Sequence, residues 1–299
     1  MAERFADVGD LTLCYETFGD PRDPTLLLIM GLGAQMIEWR DELCADIAGR
    51  GFHVVRFDNR DAGLSTFFDG EVNIFDIAAQ TMQGEPVDVP YLLADMADDA
   101  AGLLDRMDVA RAHVVGVSLG GMIAQTLAIR HPSRVLSLTS IMSTTGDPDV
   151  GQPHPEALQI LASPPPQTRE EAAERRVVAH HVWGSPGLTS EDELRARAGE
   201  SWDRQHDPHG VIRQLAAILA SGSRSDALRQ LAVPTLVIHG TADKLIDPSG
   251  GDRTAEVVPD AKLVAIEGMG HDLPGPLWPQ LVDEIVSHAR RAQTDIAGG

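Results

Sequence analysis

Six short aliphatic runs, Thr25–Met30, His53–Phe57, His113–Val117, Val135–Met142, Thr235–His239 and Lys262–Ile266, recur along the chain with helical patterns between them. Runs this short, rich in Val, Leu and Ile, read as strands buried on both faces, the condition of a parallel sheet covered by helices. In "YLLADMADDAAGLLDRM" the positions Leu93, Met96, Ala97, Ala100, Leu103, Leu104 and Met107 follow the 3.6-residue period, and Trp278–Ala292 forms a last amphipathic helix. The alternation predicts an α/β fold with a mostly parallel, doubly wound sheet. Between Ser143 and Arg229 the rhythm stops: no strand pattern is found, and the triple proline Pro164–Pro166 is followed by helical runs rich in Ala, Arg and Glu. The organisation read from this is a core formed by 1–142 and 230–299, with 143–229 as an inserted helical cap.

The stretch "VVGVSLGG", Val114–Gly121, lies where the third run meets an apolar helical stretch, "MIAQTLAIRHP". Gly116-Val117-Ser118-Leu119-Gly120 fits G-x-S-x-G at the strand-to-helix join that this motif requires. A serine there is held at a positive φ, at a cost on the order of 1–3 kcal/mol, so that its hydroxyl stands clear of the backbone. Gly116 and Gly120 flank it where a Cβ would collide as strand and helix approach, and Gly121 lets the helix pack close. The helix N-terminus directs N–H groups and a partial positive charge at any anion formed beside Ser118. Ser118 is therefore the candidate nucleophile.

A serine hydroxyl needs a base to take its proton and a carboxylate to orient that base. Of the eleven histidines, His53 and His113 start strands and His131 precedes a proline at a helix end, so these read as structural. His239 ends the strand in "LVIHG", directly before a turn that must position something else. His271, in "IEGMGHDLP", follows the last strand in a Gly-flanked loop, which puts it on the carboxyl edge of the sheet with Ser118. The acid is expected from "LVIHGTADKLIDP". Asp243 follows the strand closely enough to stay at the sheet edge, whereas Asp247 precedes Pro248 and suits capping of the next helix. The chain order Ser118, Asp243, His271 is the one used by hydrolases with this serine elbow.

Composition narrows the partners. A formal charge of −21, from 45 acidic against 24 basic residues, repels the phosphates of nucleic acid and the anionic face of a membrane. The N-terminal "MAERFADVGD" has no apolar h-region and "LLLIM" is too short to span a bilayer, so a cytoplasmic location is expected. Cys14 and Cys44 are the only cysteines and read as buried small apolar residues. His180, His181, His206 and His209 gather in the helical insert, but adjacent helical histidines point about 100° apart and no carboxylate spacing completes a ligand set. They read as a solvated face, and no metal or cofactor is expected.

With the elbow, the "HGTADKLIDP" acid loop, the "GMGHDLP" histidine loop and "FDNRDAGLS" at Phe57–Ser65 in this order, the chain resembles the α/β-hydrolase superfamily over essentially its whole length. Within it the resemblance is to the cap-bearing serine esterases close to aclacinomycin methylesterase, which share an "MG" after the second strand and a "D-x-R-D-x-G-x-S" segment. The resemblance implies a serine carboxylic-ester hydrolase with Ser118 as nucleophile, His271 as general base and acid, and Asp243 as the orienting carboxylate. It implies an oxyanion hole of the Leu119 and Leu32 backbone N–H groups. "LLLIMGLGAQ" lacks the His before Gly31 and the proline found in relatives, which leaves Gly33 as an alternative donor. Asp58 and Arg60 are expected to tie their loop down as an ion pair, with substrate contact as the other reading.

Two other classes compete. Gly31-Leu32-Gly33-Ala34-Gln35-Met36 begins like a nucleotide-binding G-x-G-x-x-G, with Asp58 where a ribose-binding carboxylate would sit, but Met36 replaces the third glycine. A non-catalytic binding protein on the same scaffold would leave the complete triad without a use. The same machinery also opens lactones, thioesters and some amides. Leu119, where aminopeptidase relatives carry Trp, weighs against amides, and a serine nucleophile weighs against dehalogenase and epoxide-hydrolase chemistry. Substrate and oligomeric state are left undefined by the sequence.

Overall fold

A computed structural model describes residues 2–85 and 87–298. In chain order the strands are β1 (Arg4–Val8), β2 (Leu11–Phe18), β3 (Thr25–Ile29), β4 (His53–Phe57), β5 (Ala112–Val117), β6 (Val135–Ile141), β7 (Thr235–Gly240) and β8 (Lys262–Ile266). The helices are α1 (Asp41–Gly49), α2 (Ile74–Gln83), α3 (Leu93–Arg106), α4 (Leu119–Arg130), α5 (Pro155–Leu161), α6 (Arg169–Trp183), α7 (Glu191–Arg204), α8 (Gly210–Ser221), α9 (Ser225–Leu228), α10 (Ser249–Val257) and α11 (Trp278–Gly298). The strands form one eight-stranded sheet in the order β1-β2-β4-β3-β5-β6-β7-β8. It is parallel from β4 to β8, while β1 and β2 run antiparallel at one edge.

The period of two along each strand builds two apolar layers. On β3, Leu26 and Leu28 face α1 and α11, meeting Leu43, Ile47, Leu281 and Ile285. Leu27 and Ile29 face the other way, toward Leu103 and Leu104 of α3 and Ile123 and Leu127 of α4. Helix α4 is buried along nearly its whole length, from Leu119 to Ala128, which explains its lack of an amphipathic pattern. Cys14 and Cys44 are free and buried, and burial pushes both thiols up to about 12. They pack as small apolar groups. No helix among the described residues is long and apolar enough to cross a membrane.

Two departures from the sequence reading concern sheet edges. The hairpin β1–β2 was not among the six expected strands, because aliphatic runs select strands buried on both faces and β2, "LTLCYETF", alternates apolar with polar residues. Its Glu16 is buried in an ion pair with Arg56 of β4, which also reaches Asp41 at 2.6 Å. The signal that could have found it is Gly9-Asp10, a two-residue hairpin turn with Gly9 at φ 57°. The other departure is β8, expected to be buried on both faces; it is the exposed far edge, buried only at Ile266.

His113 of β5 is 1% exposed. Its Nδ1 pairs with Ser137 Oγ at 2.8 Å and its Nε2 accepts from Gln293 Nε2 at 3.1 Å, so the ring is held neutral. Burial, then the neighbouring His288 and Arg111, lowers its pKa from 6.5 to about 4. A depressed histidine favours the native state above its free value and loses that advantage as pH falls from 6.5 toward 4. Charging His113 should therefore cost about 3 kcal/mol of stability across that window. Urea midpoints of the wild type and His113→Gln, measured at pH 7 and pH 4, should show a shallower acid loss in the variant; equal losses would refute this.

Candidate active site

Ser118 sits between β5 and α4 at φ 56° and ψ −119°. Its N–H donates to the Ile141 carbonyl at 2.9 Å, and its carbonyl accepts from Gly121 N–H at 2.9 Å and Ser143 Oγ at 2.8 Å. These bonds hold the strained conformation. A Cβ at Gly116 would lie 2.0 Å from the Gly120 carbonyl oxygen, and one at Gly120 would lie 2.1 Å from that of Ile29. Both glycines are therefore required by close backbone approach, as the sequence reading expected.

His271 lies in the loop after β8, with its side chain 8% exposed. Its Nδ1 is 2.7 Å from Asp243 Oδ2, in the loop after β7. Because an ionised carboxylate can only accept, Nδ1 carries the proton, and Nε2 of the neutral ring is left with its lone pair. Asp243 Oδ1 accepts from Leu245 N–H at 2.9 Å and Ile246 N–H at 3.0 Å. Burial disfavours the charged form of Asp243, but the His271 ring and hydrogen bonds from His239 and His271 outweigh it and hold the carboxyl well below the usual range. His239 has its Nε2 2.9 Å from the Ile246 carbonyl and 3.3 Å from Asp243 Oδ2, so it steadies the acid loop. Asp247 stands apart: its Oδ1 accepts from Ser249 N–H at 3.0 Å at the start of α10, and its side chain is 39% exposed.

Ser118 and His271 line one cavity of about 480 Å³, bounded below by Met30–Gln35, Val117 and Met142 and above by residues of α6, α7 and the loop before α8. Leu32 lies in a turn in which the Ala34 N–H donates to the Gly31 carbonyl at 3.2 Å. A Cβ on Gly31 would be 3.3 Å from Ser118 Cβ, so this turn lies directly against the serine. The Gly33 N–H donates to Gln214 Oε1 at 2.8 Å, whereas the Leu32 and Leu119 N–H groups donate to no other described residue. Of the two alternatives for that loop, only Leu32 has a donor to spare.

The histidine loop is braced from α6. The His271 N–H donates to the Trp183 carbonyl at 2.6 Å, and Gly270 N–H donates to Ser185 Oγ at 2.8 Å. Asp272 Oδ1 accepts from the Ser185 N–H and hydroxyl, and its Oδ2 is 3.3 Å from His180 Nδ1. His180, expected on a solvated face, has a side chain only 9% exposed and faces the cavity. His206, expected on the same face, stacks on Trp202 with ring centroids 3.5 Å apart. No group of three potential metal ligands occurs among the described residues.

Asp58 and Arg60 are not partners, which corrects the expected ion pair. Arg60 holds Asp99 of α3 at 2.6 Å, and Asp58 pairs with Arg204 of α7 at 2.7 Å while accepting from Met36 N–H and Leu64 N–H. Both are buried, so "FDNRDAGLS" is anchored through separate pairs. With both oxygens engaged within the fold and the side chain fully buried, Asp58 is closed off from a ribose hydroxyl, and the nucleotide reading loses its acid.

Sheet order, serine elbow and histidine–carboxylate pair define a hydrolase of the α/β type. The chain belongs to the alpha/beta hydrolase fold family, whose model matches residues 24–274. Along 98% of its length it is 32% identical to the rhodomycin D methylesterase of Streptomyces sp. (strain C5), and covers 99% of that protein. It is 31% identical to the rhodomycin D methylesterase of Streptomyces peucetius, again over 98% of this chain and 99% of the other. Among solved structures, the enol-lactonase of Burkholderia xenovorans LB400 superposes with a TM-score of 0.73 at 22% identity, covering 95% of this chain and 99% of the other.

Proposed function

We propose that the protein is a cytoplasmic serine esterase that cleaves carboxylic esters, methyl esters among them, through an acyl-enzyme formed on Ser118. The observation that carries this reading is the His271 ring, held by Asp243 on the wall of the cavity that Ser118 also lines. His271 Nε2 takes the Ser118 proton as Oγ attacks the ester carbonyl. The oxyanion forms against the Leu119 and Leu32 N–H groups, and its collapse expels the alcohol, which leaves with the proton from His271. Water then repeats the sequence on the acyl-enzyme and releases the acid. Asp243 keeps the imidazole in the tautomer that accepts from serine and offsets the positive charge that develops on it.

The helices of 143–229 serve in this reading as a cap whose α6 and α7 side chains face the substrate. Methyl esters lead because both Streptomyces relatives are methylesterases. The test is a panel of methyl, ethyl and aryl esters with varied acyl groups, one lactone, one thioester and one aminoacyl arylamide. Esters should turn over, the arylamide should not, EDTA should leave the rates unchanged, and a fluorophosphonate should label Ser118 alone. Turnover of the lactone at tenfold or more the rate of every open ester would replace the esterase reading with a lactonase. Absence of labelling at Ser118 would overturn the nucleophile.

A further inference from the structure

The turn that carries Leu32 is held from outside the sheet. Gln214, on α8, is fully buried. Its Oε1 accepts from Gly33 N–H at 2.8 Å across 181 residues of sequence, and its Nε2 donates to the Arg60 carbonyl at 2.7 Å. One amide thus joins the loop after β3 to the loop after β4, and its orientation is dictated by one partner that can only donate and another that can only accept. Val211, one turn earlier on α8, closes the same turn: a Cβ on Gly33 would meet Val211 Cγ2 at 2.9 Å. Gly33 itself is at φ 64°, in the left-handed region that favours glycine.

We infer that Gln214 is a positioning residue for the oxyanion hole: by taking the Gly33 N–H it fixes the Gly31–Ala34 turn with the Leu32 N–H left free for the developing charge. This rests on the serine-esterase reading above. Gln214 touches no reacting atom. It acts through the turn, and α8 therefore sets transition-state stabilisation as well as enclosing substrate. Without the amide, the Leu32–Gly33 peptide can rotate and the Gly33 N–H competes for the oxyanion from a different angle.

Loss of a whole oxyanion donor lowers kcat by about 10²- to 10³-fold, so misalignment of one donor is expected to cost roughly 10- to 100-fold. Gln214→Met, similar in size but unable to accept from Gly33, should lower kcat by that factor with KM changed less than about threefold. A trifluoromethyl ketone, which forms a tetrahedral adduct on serine, should weaken in parallel with kcat/KM, while the product carboxylate keeps its affinity. Gln214→Glu, which as the neutral acid still accepts from Gly33 and donates to the Arg60 carbonyl, should stay within about tenfold of wild type at acidic pH. If Gln214→Met does not fold, Gln214→Asn, which keeps a buried amide one methylene short of Gly33, decides the matter by the same measurements. A folded variant with unchanged ketone affinity and kcat would overturn the role of Gln214. Failure of the wild type itself to be labelled at Ser118 or inhibited by the ketone would instead overturn the esterase reading beneath it.

Discussion

Ser118→Ala will lower kcat for a good ester substrate by roughly 10⁴-fold or more and leave the fold intact, since removing the nucleophile of a triad leaves only the contribution of binding and the oxyanion hole. The fold should survive because the bonds that hold the elbow are made to the Ser118 backbone: Ser118 N–H to Ile141, and Gly121 N–H, Met122 N–H and the Ser143 hydroxyl to the Ser118 carbonyl. None involves the Ser118 hydroxyl. Ser118→Gly separates strain from chemistry. It should be equally inactive yet melt above Ser118→Ala, because relief of a positive φ worth about 1–3 kcal/mol outweighs the ~0.5–1 kcal/mol entropy cost of glycine. Steady-state hydrolysis of one aryl ester and thermal melts of the three proteins check both statements. Ester turnover by Ser118→Ala at more than about a hundredth of the wild-type rate would remove Ser118 from the chemistry.

The parts of this site that the sequence makes legible are those built by local geometry. The elbow is one: glycine at 116 and 120 follows from backbones that approach too closely for a Cβ, a constraint confined to one strand–turn–helix unit. The central strands are another, because burial on both faces of a parallel sheet writes itself as a continuous aliphatic run. What stayed hidden depends on residues far apart in the chain. Nothing near Asp58 announces Arg204, and nothing near Gly33 announces Gln214, because both partners arrive on α7 and α8 from the strand-free segment between β6 and β7. The outer strands were hidden for a different reason. An edge strand needs only one apolar face, so β8 and the β1–β2 hairpin carry weaker patterns, and the buried Glu16–Arg56 pair masks β2 further.

The dense bracing of both halves of the site from α6–α8 bears on how the enzyme discriminates. Trp183 and Ser185 hold the His271 loop, while Gln214 and Arg204 hold the turn after β3 and the loop after β4. On the proposed esterase reading, changes in those helices made to alter substrate range will therefore move the proposed base and oxyanion geometry too. Cavity-lining positions that make none of these contacts, such as Ala172 and Ala179 on α6, offer sites for variation that leave this bracing alone.

Asp243→Asn is expected to lower kcat by about 10³- to 10⁴-fold, and Asp247→Asn by tenfold at most. The two carboxylates lie four residues apart in one loop, so the contrast isolates geometry from composition. Asp243 is 2% exposed and gives one oxygen to His271 Nδ1 and the other to the Leu245 and Ile246 N–H groups. An asparagine placed there can keep the backbone bonds with its carbonyl oxygen, but it then presents N–H to His271. That stabilises the tautomer with the proton on Nε2, which cannot accept from Ser118. Asp247 meets Ser249 N–H and lies 3.5 Å from His154, contacts that an amide oxygen largely retains at a helix start. Because Asp243 is held ionised far below neutral pH, the loss in Asp243→Asn should persist at every pH from 6 to 9 and not be recovered by added base. Hydrolysis of one aryl ester by both purified variants, with circular dichroism to confirm folding, measures the contrast. If Asp247→Asn is the crippled enzyme and Asp243→Asn the active one, the acid has been misassigned, and His271 must draw its orientation from elsewhere in the loop.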